Sequence, residues 1–139
     1  SERHRARRDW ELPVSFLAPL ARRCRERGIA FGCTPFYLAA VDALAPFVDF
    51  LKIASYELLW DDLLAACART GRPLILSTGM ATLEETAHAV SVAREHGASH
   101  LSVLHCVSSY PVPAGSENLR AIQTLSHLFD LPVGLSDHA

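Results

Sequence analysis

The sequence predicts an α/β chain in which parallel strands alternate with helices, and three observations predict it. Short β-rich runs recur along the 139 residues: GIAFGCT at 28–34, DFLKIAS at 49–55, RPLILST at 72–78, HLSVLHC at 100–106 and LPVGLSD at 131–137. Helical patterns lie between them, and strand, helix, strand at intervals of roughly 20 to 30 residues is the mark of βα units around a parallel sheet. The runs are continuously apolar rather than alternating, as expected of strands covered on both faces. Five strands complete a doubly wound sheet, whereas a (β/α)8 barrel takes eight strands and about 250 residues. Composition does not choose between the two.

The elements follow in order. A first helix is expected over about 16–27, with Pro19 kinking or starting it and Gly28 ending it. A second, roughly Asp61 to Arg69, carries carboxylates in its first turn and stops at Thr70-Gly71, matching the helix dipole. Leu83, Ala87, Val90 and Arg94 mark a third, with Ala87 and Val90 on its buried stripe. Thr82 and Glu85 form a capping box in front of it and Gly97 stops it. A fourth, near Asn118 to Phe129, has Leu119, Ile122, Leu125 and Phe129 on one side.

Half of the chain is hydrophobic and the net charge is −2, as in one soluble globular unit. No apolar run approaches the roughly 18 residues of a membrane span. The N-terminal SERHRARRDW is basic but no apolar stretch follows it, so it is not read as a secretory signal. Acidic residues interrupt it, so it is expected to be a solvated face and not a nucleic-acid patch. Cysteines 24, 33, 67 and 106 form no CxxC pair. They read as small buried hydrophobes in a reducing compartment, and the expected location is cytoplasmic.

Polar groups collect at the carboxyl ends of the runs. They are Thr34; Ser55 with Glu57; Ser77 and Thr78 before Gly79; His105 with Ser108, Ser109 and Tyr110; and Ser136-Asp137-His138. The opposite ends begin with turn residues, Gly28, Gly71, Gly97 and Asp130. One such end would be an ordinary helix cap; five together predict an active site where parallel α/β folds bind ligands. There is no dinucleotide fingerprint, P-loop or GxSxG elbow. STGMA at 77–81 leads backbone N–H groups into a helix, an expected anion cradle.

Lys52 is the only lysine, and it sits in an apolar run. A buried ammonium is costly without a partner. Three readings fit: a snorkelling structural residue, a Schiff-base nucleophile, or an anion clamp. A clamp at about 4 Å and an effective dielectric near 20 is worth roughly 4 kcal/mol before desolvation. The surrounding neutral hydroxyls favour the clamp. Lys52 and Ser55 have opposite strand parity, so the strand must end near Ala54 for both to face one pocket.

KIASYE (52–57), GRPLILSTGMATLEE (71–85), LHCVSSYP (104–111) and PVGLSDH (132–138), with TPF at 34–36 and NLRAI at 118–122, resemble the sialic acid synthase family. The family condenses phosphoenolpyruvate with an N-acylmannosamine. The resemblance implies a (β/α)8 TIM barrel followed by a small antifreeze-like domain. Residues 1–139 would then be a fragment of the barrel domain, from before its third strand to its seventh. By resemblance, Lys52, Ser55, Ser77 and Ser136 hold the phosphate and carboxylate of phosphoenolpyruvate, with Thr34 nearby. Ser108 stands where some members carry asparagine in contact with that substrate. Glu57 and Tyr110 face the sugar. His138 is implied as one of two histidines on a divalent metal, Mn2+ or Mg2+, the other lying downstream of Ala139. The enol carbon attacks the open-chain aldehyde, water adds at the neighbouring carbon, and phosphate leaves with C–O cleavage. The intact parent is expected to be a homodimer and this piece alone inactive. The rival readings are a class I aldolase using Lys52 and a non-catalytic truncated barrel.

Overall fold

A computed structural model describes residues 12–139; the basic N-terminal stretch read above as a solvated face lies outside the described residues. Five strands form one sheet: β1 (Gly32–Cys33), β2 (Phe50–Ile53), β3 (Leu74–Ser77), β4 (Leu101–Cys106) and β5 (Val133–Ser136). All neighbours are parallel, and the spatial order is the chain order. Helices α1 (Leu17–Glu26), α2 (Leu38–Leu44), α3 (Asp61–Arg69), α4 (Leu83–Glu95) and α5 (Ala121–Phe129) alternate with them.

This order decides what composition left open. Parallel crossovers are right-handed, so strands laid down in sequence place every helix on the same face. A doubly wound sheet reverses direction and puts helices on both faces. The chain is therefore a partial (β/α)8 barrel, with five consecutive βα strands curving around a common hollow. Burial agrees. Leu51, Ile53, Leu74, Leu76, Leu101 and Val103 point toward the helices and are at most 6% exposed. They join Leu63, Leu64, Ala89, Val90 and Leu125 from α3, α4 and α5 in one core. Each such side chain contributes on the order of 2 kcal/mol on burial.

The alternate residues, Phe50, Lys52, Ile75, Ser102 and Leu104, lie on the other face and are only half-buried. The expectation of strands covered on both faces thus fails among the described residues: helices cover one side, and the other looks into the hollow. Apolar residues occupy both sides because a barrel interior is itself filled by side chains.

Local details depart from expectation for identifiable reasons. β1 is only two residues long, because the Phe31 N–H donates to the Asp49 carboxylate at 2.7 Å instead of to a strand carbonyl. A Cβ on Gly32 would lie 2.1 Å from the Phe50 ring, so a larger residue there has to displace that ring. Pro19 occupies the first turn of α1, where its missing N–H breaks no helical bond, so the helix runs through it from Leu17. α2, unforeseen in the sequence, has no side-chain cap, no acidic residue in its first turn and no basic residue in its last. The capping box of α4 is present, with the Glu85 N–H donating to Thr82 Oγ1 at 3.1 Å and the Thr82 N–H to Glu85 Oε2 at 2.8 Å. Its buried stripe is Thr86, Ala89, Val90 and Ala93, while Ala87 faces solvent, one position out of the expected phase. α5 begins at Ala121 because Asn118 takes a left-handed φ of 45°, leaving Leu119 exposed ahead of the helix. Among the described residues no helix is long and apolar enough to cross a membrane.

Candidate active site

The parity condition on Lys52 and Ser55 is met. β2 ends at Ile53, Ala54 stays extended (φ −75°, ψ 159°), and Ser55–Glu57 turn as one 3-10 helix. Lys52 alternates with Leu51 and Ile53, both 0% exposed, so its side chain leaves the sheet away from the helices. In register, Lys52 pairs with Ile75 and Ile75 with Ser102; nearer the carboxyl ends Ser77 pairs with Leu104, and Cys106 with Ser136. Thr34 follows β1 directly and is half-buried.

Gly79 is where the hydroxyls meet. Its N–H donates to Ser55 Oγ at 3.1 Å. A Cβ on it would stand 2.4 Å from Ser108 Oγ, 2.8 Å from Cys106 Sγ and 3.0 Å from Ser55 Oγ, so only glycine fits. Three N–H groups of the anion cradle expected at 77–81 are engaged within the chain. The Thr78 N–H goes to the Leu104 carbonyl, that of Gly79 to Ser55, and that of Ala81 back to Thr78. These donors hold the chain together and are not free for a ligand.

Two buried polar atoms lack partners among the described residues, Ser77 Oγ and Glu57 Oε2. Native proteins rarely leave such atoms unpaired, and each costs about 1–3 kcal/mol. Both belong to the rim. Burial pushes the Glu57 carboxyl above its ordinary value, while its own backbone hydrogen bond and the Lys52 ammonium pull it down. The ion pairs among the described residues join Arg22 and Arg23 to Glu26 and His88 to Asp61, and Lys52 is in none of them.

His138 is held from both sides of its ring. Nδ1 lies 2.9 Å from the Val107 carbonyl, which only accepts, so Nδ1 carries the proton. Nε2 then accepts from the Tyr110 hydroxyl at 3.2 Å and lies 3.4 Å from Ser136 Oγ. Tyr110 stacks on the imidazole with centroids 4.1 Å apart. A ring with one nitrogen fixed by a carbonyl and a lone pair on the other fits a metal ligand. Among the described residues no group of three histidine, cysteine, aspartate or glutamate side chains gathers around it.

Not every candidate joins this cluster. His105 shares the parity of Val103, is 8% exposed, and its Nε2 donates to the Glu117 carbonyl at 2.7 Å, a structural role. A hollow of about 580 Å³, lined in part by Phe50, Ile75 and Ser102, opens at the opposite, amino ends of the strands and holds no candidate residue. Cys106 is the residue the sequence reading missed: taken as a small hydrophobe, it touches Ser55. The signal was its parity with Ser102 and Leu104. Cys67, by contrast, is a core thiol, and burial pushes it up to about 12.

A rim of this kind, on a sheet wound in this order, belongs to the (β/α)8 barrel enzymes, whose chemistry sits where the strands end. The chain belongs to the NeuB family, whose model matches residues 1–139. It is 42% identical to an uncharacterized protein of Methanocaldococcus jannaschii, over 99% of this chain and 41% of that one. It is 40% identical to the N,N'-diacetyllegionaminic acid synthase of Campylobacter jejuni, over 92% of this chain and 39% of that one. A crystal structure of N-acetylneuraminic acid (sialic acid) synthetase from Leptospira borgpetersenii, in complex with citrate, superposes with a TM-score of 0.88 at 38% identity, over 93% of this chain and 45% of that one. The chain thus spans about two fifths of the length of the curated relatives it matches.

Proposed function

We propose that this chain carries the phosphoenolpyruvate-binding part of a synthase that joins phosphoenolpyruvate to N-acetylmannosamine or a related N-acylated amino sugar, giving a nonulosonic (sialic) acid and phosphate. The observation that carries the reading is the orphan Ser77 hydroxyl, buried on the Lys52 face of the sheet and lacking a partner among the described residues. An anion accepting from that hydroxyl and from Lys52 satisfies both. Lys52, Ser55, Ser77, Ser108 and Ser136 orient the two anionic groups, and Thr34 lies beside them. Preorganised donors need no rearrangement when charge moves in the transition state. Glu57 and Tyr110 face the sugar. Glu57, held toward its protonated form by burial, is suited to exchange a proton with a sugar hydroxyl. His138 supplies one ligand to a divalent metal, Mn2+ or Mg2+, which when bound polarises the sugar aldehyde as a Lewis acid. The reading places residues 1–139 within a barrel domain followed by an antifreeze-like domain, in a cytoplasmic homodimer.

The test is Lys52→Ala in the full-length protein, with the KM for phosphoenolpyruvate and for the sugar measured separately. A charge-assisted hydrogen bond is worth about 1.5–3 kcal/mol, so phosphoenolpyruvate use should fall by about ten- to a hundredfold with little change in sugar affinity. Equal, small changes in both sink the clamp. Borohydride trapping with pyruvate separates the aldolase reading, because a covalent adduct on Lys52 would replace the clamp by a Schiff base.

A further inference from the structure

We propose that Cys106 is a positioning residue of this site, its thiol setting the direction in which the Ser55 hydroxyl donates. The inference rests on the phosphoenolpyruvate reading of the rim. Cys106 ends β4 and is 6% exposed, with its Sγ 3.5 Å from Ser55 Oγ. A serine hydroxyl has one proton to give and two lone pairs to receive with. The Gly79 N–H fills one lone pair at 3.1 Å. When the Cys106 S–H donates into the other, the Ser55 proton has one direction left, outward into the rim. Without a ligand either atom of the Ser55–Cys106 pair can donate. An anion on the rim is the stronger acceptor, so it takes the Ser55 proton and leaves the thiol as donor.

The surroundings of the sulfur support this role. On its other side Sγ lies 3.9 Å from His138 Nδ1, whose proton is already engaged by the Val107 carbonyl at 2.9 Å. The sulfur therefore packs against the imidazole and keeps its own proton for Ser55. The pairing of Cys106 with Ser136 sets the thiol between the end of β2 and the end of β5. Gly79 makes room for it: a Cβ there would stand 2.8 Å from Sγ. A serine at 106 keeps the donor but is smaller, and an alanine loses both donor and bulk.

The experiment is a double-mutant cycle in the full-length protein, with KM for phosphoenolpyruvate and for the sugar read separately. Cys106→Ala is expected to raise the KM for phosphoenolpyruvate by about three- to tenfold, the worth of one net hydrogen bond, and to leave that for the sugar in place. In a Ser55→Ala background the same change should add nothing, because the group through which it acts is gone. Cys106→Ser should recover most of the loss. An equal penalty with and without Ser55, or an equal effect on both substrates, overturns the proposal while the clamp stands. A Ser55→Ala variant with unchanged phosphoenolpyruvate use overturns the clamp reading and this inference with it. If Cys106→Ala does not fold, the pair Cys106→Ser and Cys106→Val decides. Serine stays near the wild-type KM and valine raises it further, and equal values overturn the assignment.

Discussion

Lys52 and Glu57 are coupled through charge on this rim without forming an ion pair, and that coupling is testable directly. Burial raises the Glu57 carboxyl and the ammonium holds it partly down. Removing the charge with Lys52→Met should raise the Glu57 pKa further, read from the pH dependence of its side-chain carbonyl resonance. No movement would show that the two do not interact. The sign for stability follows by linkage. A carboxyl raised on folding favours the folded state most below its ordinary value of 4.5. That contribution fades as pH rises through the folded value. Ser77 predicts a split outcome. Replacing a buried, unpaired hydroxyl by Ala removes a desolvation cost, so the ligand-free protein should keep or slightly raise its Tm, while phosphoenolpyruvate binding weakens. A marked fall in Tm would mean that the hydroxyl has a protein partner after all. At this scale the sequence was most legible where a residue was out of place. A single lysine in an apolar strand announces itself. Cys106 does not, because a cysteine at a strand end looks like any small core residue until register sets it beside Ser136.

The elements were legible where their ends carry chemistry. α4 opens on Thr82 and Glu85, and the reciprocal bonds are there. Thr82→Ala should cost about 1 kcal/mol, measured as a shift of the urea midpoint at unchanged slope; no shift would mean that the box contributes nothing net. α3 likewise carries Asp61 and Asp62 in its first turn and Arg69 in its last. α2 offers none of this: LAAVDAL has no cap, and its neighbours supply the burial of Ala40, Val41 and Leu44 that keeps it helical. Its stability comes from tertiary packing, which a local reading of sequence does not reach. The phase of α4 slipped for a related reason. Ala87 and Ala89 are equally apolar, and only the position of the sheet decides which one is buried.

Across the whole molecule, the carboxyl rim was readable from strand ends alone, but closure was not. Five runs are compatible with two windings; the family resemblance implies the barrel, and the sequential order of strands bears it out. The described sheet is open: β1 and β5 each have one unpaired edge, and half-buried Phe50, Ile75 and Leu104 line the uncovered face. Exposed parallel edges recruit other chains. Residues 1–139 expressed alone should therefore self-associate in sedimentation velocity as concentration rises; a monomer whose sedimentation does not change on dilution would contradict this. The near-contact of Gly32 with the Phe50 ring adds a constraint on how this floor can vary. A larger residue at 32 has to displace the ring at 50 or be matched by a smaller residue there. Change at this corner of the sheet is therefore coupled across two neighbouring strands.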